Sequence, residues 1–544
     1  MTSARLPRGT MPPLELLTDT TTVAGADVDV LVVPSFSGDN GVEMSVGSSA
    51  FDRETQVAIW KSLVAAGASG RAGETSPLPT VPGIAARRLL AVGLGDADAL
   101  TDEGLRTAAG EASRALGRMA ATSAPTGAST GTPGSAGISA LSLLGTLGTG
   151  PATEGHGLGA YTYTGFRSIQ DAAQDAVLDA GGIARLIVAA PSGPTAADAA
   201  REDFSHACVV IEAVSCARDL VNAPANVLYP QSYAEVISGL ATQSGLEVEV
   251  LDEQDLAEQG FGAIIGVGRG STHPPRLVRV SYRPDATVSG SSPAAPHVAL
   301  VGKGVPFDTG GISLKPAPRM DNMISDMGGS AAVVAAVVAA AELELPVQVT
   351  ATVPLAENMP DGTATRPGDV LRHYGGTTTE ILNTDAEGRL ILGDAMARAA
   401  EDDPDFLVET STLTGAQVRS LGDRVPAVMG SPVFRDRVSA VSRATGEDAW
   451  PMPLPAEIAR DIRSDVADLR NTGKKPWGGM AAAGHYLAAF VPDGLPWVHI
   501  DVAGPSYNTA GAHGYTPRRG TGVPVRTIIA LLEELSATTA DDPA

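Results

Sequence analysis

Cysteine is nearly absent from this sequence: only Cys208 and Cys216 occur among 544 residues. On one helix the two would sit about 12 Å apart along the axis, beyond the reach of a disulfide. A disulfide framework is thereby excluded, thiolate metal sites are disfavoured, and a reducing, cytoplasmic compartment is expected. Positive charge is also short. Lys and Arg number 38 against 62 Asp and Glu, a formal net charge of −24. A field of that sign repels phosphate backbones and anionic headgroups, which argues against nucleic acid as a partner. Long hydrophobic runs are missing as well. The stretch from Met1 to Pro13 lacks the apolar core of a secretory signal, and the longest apolar run, Met327 to Ala341, stops at Glu342 short of a membrane span. A soluble protein with no membrane partner is expected.

What the chain has is length and core: 544 residues with 43% hydrophobic content point to two domains. Residues 26 to 110 alternate strand-like runs, such as Val28 to Val33 and Arg88 to Val92, with Ala-rich helical stretches. From Ala121 to about Gly150 the composition turns to Ala, Ser, Thr, Gly and Pro, which predicts a flexible insertion. An N-terminal α/β domain is expected over 1–198, and a larger α/β domain over 199–544 that begins with an amphipathic helix through Cys208, Ile211 and Val214. Within it, Asp285 to Pro296 reads as a surface loop and His297 to Val301 as a buried strand. Open α/β sheets bind ligands beyond the carboxyl ends of their strands, so chemistry is expected where that strand ends.

The segment that follows, Gly302-Lys303-Gly304-Val305-Pro306-Phe307-Asp308-Thr309-Gly310-Gly311-Ile312-Ser313-Leu314-Lys315, places two lysines and an aspartate among glycines that allow close backbone approach. It lacks the Ser or Thr after the Lys, and the glycine spacing, of a phosphate loop. Asp326 then precedes an Ala/Val helix, where capping alone would account for it. The third element is Asn383-Thr384-Asp385-Ala386-Glu387-Gly388-Arg389-Leu390 after a strand-like run, Thr379 to Leu382. On an extended backbone Asp385 and Glu387 would project to one side, which calls for a cation, or for a salt-bridged loop with Arg389.

These three stretches, in this order, resemble the signature of the leucyl aminopeptidase family, the dinuclear-metal cytosolic peptidases. The match over Asn383 to Leu390 is complete, and Val221 to Asn226, Asp465 to Gly473 and His499 to Gly504 agree as well. The resemblance implies a small N-terminal α/β domain and a larger C-terminal α/β catalytic domain with a central mixed sheet flanked by helices. It implies two divalent ions, manganese or zinc, with Asp308 and Glu387 bridging them, Asp385 completing one site, and Lys303 and Asp326 completing the other. Hydrolysis would proceed by a two-metal-activated hydroxide, removing N-terminal leucine or another apolar residue from peptides.

By the same resemblance Lys315 stabilises the oxyanion, Arg389 holds a bicarbonate acting as general base, and Met323, Thr412 and Gly415 line the pocket for the released side chain. Without the family, Lys315 and Arg389 would read as surface charges and Met323 as core. A homohexamer acting on peptide substrates is also implied. Pro306 departs from the family, which usually carries Thr there. His485, His499 and His513 read as structural histidines. Two alternatives stay open: a non-catalytic scaffold or DNA-binding regulator, and a dipeptidase specialised for Cys-Gly.

Overall fold

The computed structural model describes residues 6–39, 41–44, 50–123, 137–166, 182–284 and 295–537. The chain forms two compact α/β units. One comprises residues 7–215 with 510–518, and the other residues 1–6, 216–509 and 519–544. The expected boundary at 198/199 falls inside a single continuous helix, Pro194–Asn222, and the units part within it, between Ser215 and Cys216. Both cysteines are free on that helix, as its periodicity predicts.

The first unit is a seven-stranded sheet in which Leu14–Leu17, Ile183–Ala189, Ile138–Ser142, Val30–Gly38 and Arg88–Gly93 run parallel. Alternation sets its two faces: Val30 and Val32 join one core with helix Asp102–Ser123, while Leu31 and Val33 join another with helix Arg53–Ala65. The flexible insertion expected near 121–150 requires correction. Residues 124–136 lie outside the described residues, but Ile138–Ser142 is a buried strand inside the sheet and Thr149–Ala160 is a helix. Glycines here are packing devices: a Cβ on Gly145, inside the expected insertion, would stand 2.4 Å from Val188 Cγ1. A Cβ on Gly155 would stand 2.1 Å from the Arg106 carbonyl oxygen, and one on Gly159 2.5 Å from the Gly110 Cα. Segment 510–518 belongs to this unit: Gly514 N–H donates to Glu111 (2.8 Å) and the Tyr515 hydroxyl to Glu103 (2.8 Å).

The second unit is built on an eight-stranded mixed sheet. At its centre Trp497–Asp501, Phe406–Ser411, His297–Gly302 and Gln348–Leu355 are mutually parallel, and the outer strands are mostly antiparallel. The strand expected at His297 to Val301 is present, while the loop expected from Asp285 lies largely outside the described residues. Helix Gly388–Ala400 packs Leu390, Ile391 and Ala395 on Ala299, Val301 and Leu407. The opposite face receives helix Gly328–Glu342, which comes so close that a Cβ on Gly302 would lie 2.6 Å from the Gly329 carbonyl oxygen. Residues 320–342 are the one described segment with the length and hydropathy of a membrane crossing; 83% of its most apolar window is buried inside the fold, as a core helix would be. The parallel strands therefore end, at Gly302, Leu355, Ser411 and Asp501, beside one another.

Candidate metal centre

Lys303 is the first residue beyond its strand, held by its N–H to the Thr410 carbonyl (3.2 Å), and its side chain is only 3% exposed. Its Nζ lies 2.8 Å from Asp326 Oδ2, 2.8 Å from Glu387 Oε1 and 3.2 Å from the Thr412 carbonyl. The Thr412 hydroxyl donates to Asp326 Oδ1 (2.7 Å). Asp326 closes the 3-10 turn Met320–Ser325, yet its carboxylate caps nothing; the N-cap of the following helix is Met327, without a side-chain bond. The capping account of Asp326 is set aside because its oxygens are spent on Lys303 and Thr412.

The second half is built on the glycine loop. Asp308, 1% exposed, accepts from Gly310 N–H (2.8 Å) and Asn358 Nδ2 (2.7 Å) through Oδ1, and Oδ2 meets Lys315 Nζ at 2.7 Å. Lys315 Nζ also lies 2.5 Å from Asp385 Oδ1. Gly310 has φ +86°, and a Cβ there would sit 2.8 Å from Asp385 Oδ1, so the turn and the close approach both need glycine.

An extended backbone at Asp385 and Glu387 is not what forms. Asp385 lies in a turn and Glu387 is the N-cap of helix Gly388–Ala400, so turn and helix start, rather than strand alternation, aim the two carboxylates. Asn471 clamps this reversal: Oδ1 accepts from Leu382 N–H (2.8 Å), and Nδ2 donates to the Asn383 carbonyl (2.6 Å). Its own carbonyl accepts from Arg389 Nη1 (2.7 Å). A Cβ on Gly388 would stand 2.7 Å from Lys303 Nζ, so the bare Gly388 backbone is one wall of the lysine's channel. The result brings oxygens of Asp308, Asp385 and Glu387 within 4.8 Å of one another.

Four carboxylates thus face two ammonium groups, a surplus of two negative charges in a buried site. Burial, reinforced by Glu387 and Asp326, pushes the Asp308 carboxyl up to about 8. Burial also raises Asp326, to about 6, although Lys303 opposes it, and raises Asp385. For Glu387 the two lysines overcome burial and hold it below the usual range. Burial works against the charge on Lys303, but Asp326, Glu387 and Asp308 prevail and hold its pKa high. Lys315 follows the same balance. Glu387 Oε2 is buried with no hydrogen-bond partner. An unsatisfied carboxylate oxygen among oxygen donors with excess negative charge fits divalent cations of the manganese, zinc or magnesium kind.

Of the other expected residues, Arg389 is 8% exposed, and its Nε is buried without a partner. Thr412 bonds Asp326, so it belongs to the lysine half as well as to any pocket. Met323 is half-buried on the 3-10 turn before Asp326, and Gly415 is exposed at the start of helix Gly415–Leu421. Sequence reasoning missed Asn358 and gave Asn471 no role. Asn358 carries one signal, its place three residues beyond the strand Gln348–Leu355.

Fold and site together define a two-domain α/β protein with a cluster of carboxylates and lysines at the carboxyl ends of parallel strands. The sequence profiles of the "Cytosol aminopeptidase family" match twice, the catalytic domain over residues 215–529 and the N-terminal domain over 32–170. The chain is 50% identical to a "Probable cytosol aminopeptidase" of Corynebacterium diphtheriae over 510 residues, covering 94% of this chain and 95% of that one, and 50% identical to one of Rhodococcus opacus over 515 residues. Among solved structures it resembles the "Bottromycin maturation enzyme BotP in complex with Mn", with a TM-score of 0.77 and 36% identity over 94% of this chain and all of that one. It also resembles a mutant of tomato leucine aminopeptidase, with a TM-score of 0.79 and 26% identity over 97% and 99%. The chain belongs to the cytosol aminopeptidase family. It is a metal-dependent aminopeptidase, a hydrolase of the M17 class.

Proposed function

We propose that this aminopeptidase removes leucine or another apolar residue from the N-termini of peptides, at a centre of two divalent ions, manganese or zinc. Asp308 and Glu387 would bridge them, Asp385 would complete one site by side chain and carbonyl, and Lys303 and Asp326 the other. The observation that carries this reading is the convergence of the buried carboxylates around a lysine, with Glu387 Oε2 left unsatisfied. Bound ions would supply a water acidic enough to attack at neutral pH, a polarised scissile carbonyl and a ligand position for the free α-amine.

The protein's own groups have distinct tasks. Lys303 has no lone pair while protonated, so its Nζ must give up the proton that Asp326 and Glu387 favour before it can ligate. Lys315, at the more open side of the site, keeps its ammonium and faces the oxygen on which negative charge develops. Arg389 holds bicarbonate as general base, and its unpartnered Nε is a donor suited to that anion. Met323, Thr412 and Gly415 receive the side chain that is released. The assembly is a homohexamer in the cytoplasm. The manganese in the similar BotP structure supports that metal.

Metal content by mass spectrometry, combined with hydrolysis of leucine anilide and its N-acetyl counterpart, tests this. Two ions per subunit and turnover of the free substrate alone are expected. Equal rates on both substrates would show that the amine is not a ligand. Sedimentation of a fully active monomer would remove the hexamer.

A further inference from the structure

Behind the lysine half lies a charged row that none of the chemistry above uses. On the parallel strands Phe406–Ser411 and Trp497–Asp501, Glu409 pairs in register with His499 and Ser411 with Asp501, and all four side chains are fully buried. Glu409 Oε2 is hydrogen-bonded to His499 Nδ1, and His499 Nε2 stands 4.0 Å from Asp501 Oδ2. Burial lowers the His499 pKa, but Glu409 and Asp501 outweigh it and keep the imidazole above its ordinary value.

Asp501 spends its carboxylate on the turn that leaves the neighbouring strand. Oδ1 accepts from the N–H groups of Leu413 (3.2 Å), Thr414 (3.4 Å) and Ala503 (3.2 Å), and Oδ2 accepts from the Thr414 hydroxyl (2.7 Å). The next residue back along that turn is Thr412, whose carbonyl meets Lys303 Nζ and whose hydroxyl meets Asp326. A buried carboxylate is costly unless its bonds are made, so three bonds to one reversal, with a fourth from Ala503 beside Asp501 itself, fix that reversal tightly.

We propose that Asp501, backed by the His499–Glu409 pair, is a positioning residue that sets the 411–414 turn so that Thr412 orients Lys303 and Asp326 for metal. The inference rests on the metal reading of those two residues. Outer groups of this kind typically govern affinity by roughly 10- to 100-fold.

The test is a Mn2+ titration of the full-length, metal-free protein by calorimetry, with melting and steady-state kinetics alongside. Asp501→Asn keeps an oxygen for the N–H groups and removes the charge. One of the two Mn2+ binding events should weaken by roughly tenfold or more while the other is unchanged, with kcat falling and KM held. Thr414→Val should reproduce the loss and Thr414→Ser should restore wild-type affinity. Both Mn2+ affinities within about twofold of wild type in Asp501→Asn and Thr414→Val would overturn the proposal, as would weakening of both events equally. If Asp501→Asn does not fold, the Thr414 pair decides. A wild-type chain that takes up fewer than two Mn2+ would instead overturn the metal reading, and this inference with it.

Discussion

The two lysines of the centre are chemically alike and placed differently. Lys303 is 3% exposed, threaded past Gly388 between Asp326 and Glu387, while Lys315 is 22% exposed between Asp308 and Asp385, the latter 33% exposed. The difference teaches that burial, not residue type, divides the labour. In the proposed reading the buried lysine is the one that gives up its proton to ligate a metal. One at an open edge can keep its charge and still reach a substrate.

The substitution expected to break this contrast most severely is Lys303→Arg. Guanidinium stays protonated and cannot ligate. One of two metals should be lost and turnover should fall roughly a thousandfold, the several kcal/mol that a polarising ion supplies. Two bound metals with near-normal turnover would reduce Lys303 to an ion-pair partner. Lys315→Met should do the opposite: both metals retained by mass spectrometry, and kcat down by about 10²- to 10³-fold, the usual effect of removing one oxyanion donor. A lost metal in that variant would erase the distinction between the halves.

A smaller effect follows from protons. The Asp308 carboxyl stands at about 8 in the folded protein and at about 3.9 in an unfolded chain. Between those values the folded state binds more protons, so the stability of metal-free protein should fall as pH rises from about 4 to about 8. Added Mn2+ should remove the trend, and the gap between the melting temperatures with and without metal should widen as pH rises. A gap independent of pH would show that the carboxyl group is ionised throughout. The mildest expected effect is Gly415→Ala. A Cβ there meets nothing nearer than Arg419 Nη1 at 3.5 Å, so the fold should be unaffected. The preference for leucine over alanine substrates should drop by roughly tenfold. An unchanged ratio of kcat/KM values would place Gly415 outside the pocket.

Much of this was legible in the chain. The buried strand before Lys303 and the Ala/Val helix after Asp326 carry local signals of hydrophobicity and periodicity and lie where expected, and the carboxylate-rich octapeptide carries a motif but not its backbone shape. What was not legible is made by distant partners. Nothing local to Asn358 announces that its amide will hold Asp308, 50 positions away, and nothing local to Asn471 announces that it will clamp the turn at Leu382, 89 positions away. Asp385 and Glu387 look like alternating strand residues until Asn471 folds the backbone between them. In the first unit, Gly145 reads as part of a flexible insertion because a glycine that seats a turn against Val188 of a neighbouring strand leaves no periodic mark.

The assignment of segment 510–518 to the first unit has a consequence in time. A growing chain presents residues 7–215 first, but the loop that bonds Glu103 and Glu111 is made only after nearly all of the second unit. The first unit therefore cannot reach its full set of contacts until the end of synthesis is near. A ribosome stalled anywhere before residue 510 leaves the first unit without the bonds that Gly514 and Tyr515 make to Glu111 and Glu103.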